Sequence, residues 1–161
     1  MIYLRYLWYI LRHKWYVFVE CCKLGIPWLG IIHDWTRFYP GEFFPRARFL
    51  YGGEAVRDET GYYSPSAPGN EAYYFSWFLH QKRSRHHWQW WILPKDNGGT
   101  MIFPMSSRYR REMLADMRGA GRAQGKPDIV NFYRANADKM QLHPETREWL
   151  ELQLGLTGPV T

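Results

Sequence analysis

The sequence predicts an all-α fold, a compact helical bundle forming a single domain over residues 1–161. Three observations lead there. No stretch alternates apolar and polar residues for long enough to make a strand, and no internal repeat is present. Helix start and stop residues punctuate the chain at helix-length intervals. Aromatic residues make up 19% of the chain, with nine Trp and twelve Tyr, which favours a packed aromatic-rich core over disorder.

Residues 2–24 read as one helix, closed by Gly25 with Pro27 just beyond. Pro27 suits the first turn of a second helix running to about Phe38, and a third, short helix covers 41–51. Residues 52–69, GGEAVRDETGYYSPSAPG, read as a long surface loop, a segment type that often serves as a lid. Asn70 can cap a helix over 71–83, and Ser84 one over 85–93. A turn or small hairpin is expected around Asn97-Gly98-Gly99. Ser106 or Ser107 then caps a helix to Arg118, ended by Gly119, and two helices over 127–139 and 144–154 close the chain.

The first helix is apolar enough to raise the question of a membrane span. A span takes about 20 predominantly apolar residues, and Arg5, Arg12, His13, Lys14, Glu20 and Lys23 interrupt this one. An Arg-His-Lys triplet at its centre is costly in lipid, and a signal peptide carries its basic residues ahead of its apolar segment. It reads as a largely buried helix with no membrane span. A helix lying in a membrane surface is the lesser alternative.

Net charge is +6 and the pI about 9.4, so an anionic partner such as a small phosphate-containing substrate is expected. The charge is spread along the chain, so nucleic acid is possible but not favoured. Cys21 and Cys22 are adjacent, a span that disulfide geometry fits poorly. With no other cysteine in the chain, a reducing cytoplasm is the expected setting.

The stretch LGIIHDWTRF places two chargeable groups, His33 and Asp34, straight after apolar residues. Burying them costs several kcal/mol unless they are paired, hydrogen-bonded or bound to a metal. Candidates for compensation recur along the chain: His13, His80, His86, His87 and Asp116. Imidazole with carboxylate suits a divalent transition metal (Mn, Fe, Co or Zn) better than calcium. His13, His33, Asp34 and Asp116 make one shell with positions left for water. Asp34 can bridge to a second metal held by His80 and by one of His86 and His87, which point in different directions if helical. One or two metals are therefore expected. Glu112, one turn before Asp116, competes with it as a ligand. The Trp-rich HHWQWWIL reads as core. The segment GAGRAQGKPD reads as a loop able to approach phosphate and brings Arg122 and Lys126, although it lacks the GxxxxGK[ST] pattern.

The order His, His-Asp, Asp, carried by RHKWYV, LGIIHDWTRF and EMLADM, resembles the HD-domain metal-dependent phosphohydrolases. The intervening His80 and His86-His87 resemble the two-metal subset, which includes cyclic-nucleotide-type phosphodiesterases and a few di-iron oxygenases. Where that family commonly has a Lys three residues after the doublet, this chain has Arg37, which keeps the charge and changes its geometry. LHQKRxxHHWQWW and GAGRAxGKPD, over nearly the whole chain, also resemble an uncharacterised family of bacteria and their phages, which implies no activity. The first resemblance implies hydrolysis of a phosphoester, a nucleotide or cyclic nucleotide, since a metal lowers the pKa of bound water from about 15.7 toward 7. Asp34, Arg37 and Lys82 are the expected catalytic residues, and Lys82, Arg85, Arg122 and Lys126 the expected contacts to the anion. A di-iron oxygenase, an inactive regulator and a metal-free nucleic-acid-binding module remain alternatives.

Overall fold

Residue Ile2 starts α1, which runs to Lys23 with Tyr6, Ile10, His13, Val17, Glu20 and Cys21 on its buried side. This computed structural model describes residues 1–53, 59 and 70–157. Helix α1 ends in a Schellman-type arrangement, with Ile26 N–H donating to the Cys21 carbonyl (2.9 Å) and Gly25 N–H to that of Cys22 (3.2 Å). The chain then reverses into α2 (Pro27–Ile32), which lies back along α1. A Cβ on Gly30 would meet the Phe18 backbone at 2.9 Å, so the close approach of α2 needs glycine there.

A 3-10 turn over Trp35–Phe38 leads into α3 (Pro40–Tyr51), which packs on the N-terminal half of α1 through Tyr6, Ile10 and Ala47. Helix α4 (Glu71–Arg83) lies against α3. A 3-10 turn over Trp88–Trp91 then enters a two-stranded antiparallel hairpin, β1 (Ile92–Pro94) and β2 (Thr100–Ile102), with Leu93 opposite Met101. Helix α5 (Ser107–Ala123) makes the largest contact with α1, around Val17, Cys21 and Ala115. Helices α6 (Ile129–Asn136) and α7 (Pro144–Gln153) join α5 in a second core of Met113, Leu114, Tyr133 and Leu150. Among the described residues the fold is thus all-α apart from the small hairpin expected at Asn97-Gly98-Gly99.

Three expectations need correction. The second helix stops at Ile32, six residues before Phe38, because Asp34 adopts a left-handed conformation (φ 54°) that no helix continues through. No α-helix forms over 85–93, only the 3-10 turn at Trp88–Trp91; Ser84 has extended backbone and begins a turn, and Trp88 and Trp91 pack against the second core. Helix α5 does not end at Gly119 but runs through it to Ala123, because Gly119 serves as the contact point with α1. Asn70 and Ser106 do stand at N-cap positions, without the expected side-chain bond. The last two helices are a little shorter than expected, with 137–139 a separate 3-10 turn. The loop expected over 52–69 lies, apart from Gly52, Gly53 and Glu59, outside the described residues.

No helix among the described residues is long and apolar enough to cross a membrane. The two cysteines are both free and differ in environment: Cys21 is buried and Cys22 exposed. Burial pushes the Cys21 thiol up to about 12, although the His33 charge pulls it down. A thiol-reactive probe at neutral pH should therefore label one site per chain, Cys22, and both only after unfolding. Mass spectrometry of the labelled native protein checks this.

Candidate metal centre

The centre lies where α1, the α2–α3 connection, the end of α4 and α5 meet. Helix α1 supplies His13, fully buried one turn beyond Ile10. Helix α5 supplies Glu112 and Asp116, one turn apart, so both carboxylates reach the same side. His33 and Asp34 come from the break after α2. Two neighbours on a helix diverge by about 100°, but here His33 is extended and Asp34 left-handed. Asp is among the residue types that tolerate this conformation, and the reversal turns both side chains into the interior. Lys14 holds the break from α1 by donating to the His33 carbonyl and, at 3.4 Å, to that of Ile31.

Each oxygen of the Asp34 carboxylate faces its own set of histidines. Oδ2 lies 3.3 Å from His13 Nε2 and 3.3 Å from His33 Nε2. Asp116 Oδ1 completes that lobe at 3.2 Å from His13 and 3.5 Å from His33. Oδ1 of Asp34 lies 3.4 Å from His80 Nε2 and 3.4 Å from His86 Nε2. The sets His13, His33, Asp34, Asp116 and Asp34, His80, His86, His87 each place one ligand atom per residue within 4.8 Å of the others. These clusters can hold a metal ion, in the shells the sequence suggested.

The chemistry of the donor set fits such an ion. Asp34 Oδ1, Asp116 Oδ1, His86 Nε2 and His87 Nε2 are buried with no hydrogen-bond partner among the described residues, and a buried polar atom left so costs about 1–3 kcal/mol. Burial holds His80 and His87 well below the usual imidazole range, so both are neutral with a lone pair to give. Burial alone would raise both aspartates. Arg37, His33 and His80 more than offset it at Asp34, as His13 and His33 do at Asp116, so both carboxyls stay well below their usual range.

His33 differs. Burial would lower it, but Asp34, Asp116 and Glu112 outweigh that and keep it well above its usual value. Without metal it holds a proton that a metal must displace. Lowering the pH therefore weakens metal binding at His33.

Two glutamates orient the histidines from behind. Glu112 Oε1 accepts from Nδ1 of His33 (3.0 Å) and lies 3.3 Å from Nδ1 of His86, which turns both Nε2 atoms inward. Asp116, not Glu112, falls in the set with His13, while Glu112 with His33 and His86 forms a third group whose atoms lie within 4.8 Å of one another. Fully buried Glu42 of α3 does the same for His80 Nδ1 (3.1 Å) and is held by Thr36 (3.0 Å) and Arg83 (2.8 Å). Sequence reasoning missed Glu42. A lone acid in the aromatic run FYPGEFFP raises the same buried-charge question as His33-Asp34.

Both His86 and His87 fall in the second set, so both can reach the point the sequence assigned to one of them. They lie on a turn rather than a helix, so they need not diverge.

A cavity of about 220 Å³ reaches Asp34, His86 and Glu112 between walls formed by Trp35, Tyr109, Arg83 and Arg85. Arg85 thus lies where an anion contact was expected. Four other expected residues do not. Lys82 is exposed and its neighbour Arg83 lines the cavity instead. Arg37 is buried and donates its Nε–H to Asp34 Oδ2, so it serves the ligand rather than a bound anion. Arg122 is engaged by Glu20 (2.9 Å) and lies over Tyr16. Lys126 is exposed, away from the cavity lining. The glycine segment before it is helical to Ala123, so its N–H groups are spent within α5 and cannot cradle phosphate.

The model of a family described as a family of unknown function (DUF5662) matches residues 3–156. The chain belongs to DUF5662. No curated protein and no solved structure is similar to it. The span matched in this DUF5662 chain contains every residue of the two ligand sets, as well as Glu42 and Glu112.

A metal bound only by the folded DUF5662 chain stabilises it by about 2.7 kcal/mol at a hundredfold excess over its dissociation constant. At this size that is about 5–10 °C in melting temperature. Chelation should lower the melting temperature of the wild type by that amount and readdition of metal restore it, read by differential scanning fluorimetry. The restored increment should shrink as pH falls, because His33 then retains its proton more firmly.

Proposed function

We propose that this DUF5662 protein is a metal-dependent hydrolase of a phosphoester, with a nucleotide or cyclic nucleotide as substrate. The observation that carries the reading is the shared Asp34 carboxylate, each oxygen of which faces its own set of histidines beside a cavity with two arginines on its wall. The resemblance of RHKWYV, LGIIHDWTRF and EMLADM to the HD-domain phosphohydrolases points the same way. Bound there, a divalent transition metal (Mn, Fe, Co or Zn) supplies an acidified water as nucleophile and neutralises a phosphate oxygen.

The chain's own residues do the rest. Asp34 holds the two lobes at one separation, and Arg37 fixes the Asp34 carboxylate by donating to Oδ2, its guanidinium also lying 3.4 Å from His80 Nε2. Glu112 and Glu42 keep the imidazoles oriented by accepting their Nδ1 protons. Arg85, exposed at the cavity wall, meets the anion, while Tyr109 and Trp35 offer aromatic faces to a base.

The test is a screen of mono-, di- and cyclic nucleotides for phosphate or ester release, with the protein loaded in turn with Mn, Fe, Co, Zn or Mg and Asp34→Ala as the blank. Asp34-dependent turnover is the expected result. Arg85→Ala should raise KM about tenfold with kcat little changed if its contact is equal in ground and transition states. A metal-loaded protein that turns over no phosphoester but consumes O₂ with iron bound would replace the proposal with an oxygenase.

A further inference from the structure

Opposite its buried face, α1 exposes a second apolar stripe. Leu4, Trp8, Leu11 and Trp15 recur at intervals of four, three and four residues, and each is between 48% and 71% exposed. Residues so spaced share one side of a helix. Trp28 and Ile31 of α2, which packs along α1, are also exposed, at 67% and 48%. Scattered apolar residues need no explanation, but a contiguous patch of this kind marks an interaction site.

Charge identifies what fits it. Residues 1–53 contain three acids, Glu20, Asp34 and Glu42, and all three are buried. Arg5 and Arg12 border the stripe on one edge, and Lys14, whose ammonium is held by the His33 and Ile31 carbonyls over the Trp35 ring, lies on the other. A second copy of the chain docked here by two-fold symmetry would set these cations against their own counterparts with no acid to pair them, and like-charge contacts cost several kcal/mol. An anionic lipid surface answers both features. Tryptophan favours the membrane–water boundary, and Lys and Arg meet the headgroups.

We propose that this face of α1 and α2 binds the surface of an anionic bilayer, with α1 lying flat and not spanning it. The helix fits that posture, since its other side carries His13 and the core.

The experiment is flotation of the full chain with vesicles of phosphatidylcholine alone and of an equimolar mixture with phosphatidylglycerol, together with tryptophan emission. Binding to the anionic vesicles, a blue shift and loss of binding at high salt are expected. Arg5→Gln/Arg12→Gln should weaken partitioning about thirtyfold. Trp8→Ser/Trp15→Ser should abolish binding with the melting temperature unchanged, because both rings are exposed; if that variant fails to fold, the arginine pair decides. Absence of binding to anionic vesicles, or equal binding by wild type and the arginine variant, overturns the proposal. So does a dimer, seen by light scattering without lipid, that Trp8→Ser/Trp15→Ser splits.

Discussion

Asp34→Ala should lower metal content at both lobes of the centre together, whereas His13→Ala or His80→Ala should lower it at one. The reason is geometric: Oδ2 of the same carboxylate serves His13 and His33, and Oδ1 serves His80 and His86. Elemental analysis of the purified variants reads the difference as metal per chain. Asp34→Ala should also be less stable than chelated wild type, because Arg37 stays buried with its main partner gone. Removing one member of a buried ion pair costs about 3–5 kcal/mol. The pair Asp34→Asn/Arg37→Met removes both charges and should recover much of that stability while recovering no metal. Recovery of metal by the double variant would show that the carboxylate is no ligand.

Gly119→Ala should destabilise the protein strongly by forcing α1 and α5 apart. A Cβ there would lie 2.5 Å from Val17 Cγ2 and 2.8 Å from the Val17 backbone nitrogen. Forcing extra atoms into a packed contact costs about 1–3 kcal/mol, and with backbone in the way the upper end applies. The melting temperature of the metal-free protein should fall by about 5–10 °C. Metal affinity should fall too, since separating α1 from α5 here pulls His13, one turn before Val17, away from Asp116, just before Gly119. Adding Val17→Ala relieves the contact with Cγ2 but not those with the Val17 backbone. It should restore only part of the stability. Full rescue by Val17→Ala, followed by thermal melting, would show that the two helices are not in backbone contact.

The helical class, most element positions and the ligand types were legible in the chain. Periodicity, caps and stop residues act over a few neighbours, so local reading places α1, α3, α4, α6 and α7 within a few residues. The clustering of these histidines and aspartates was legible for a different reason. His33-Asp34 after Leu29, Ile31 and Ile32 implies burial, buried charge demands partners, and the chain offers few histidines and aspartates to meet that demand.

What the sequence by itself determined, then, is which segments are helical and which side chains had to find one another. Only the tertiary structure decided how they meet. The left-handed turn at Asp34 depends on Lys14 of α1 and on Arg37, which hold both sides of the break from a distance in sequence or across a turn. The roles of Glu42 and Glu112 depend on α3 and α5 standing behind the rings of His80, His33 and His86. The anion contacts were misplaced for the same reason. Lys82, Arg83 and Arg85 are nearly equivalent in the sequence, and only the packing of the end of α4 and the turn after it brings the latter two to the cavity. Local propensity selects a conformation for a segment. Which of several similar side chains reaches a shared point is set by packing between segments far apart in the chain.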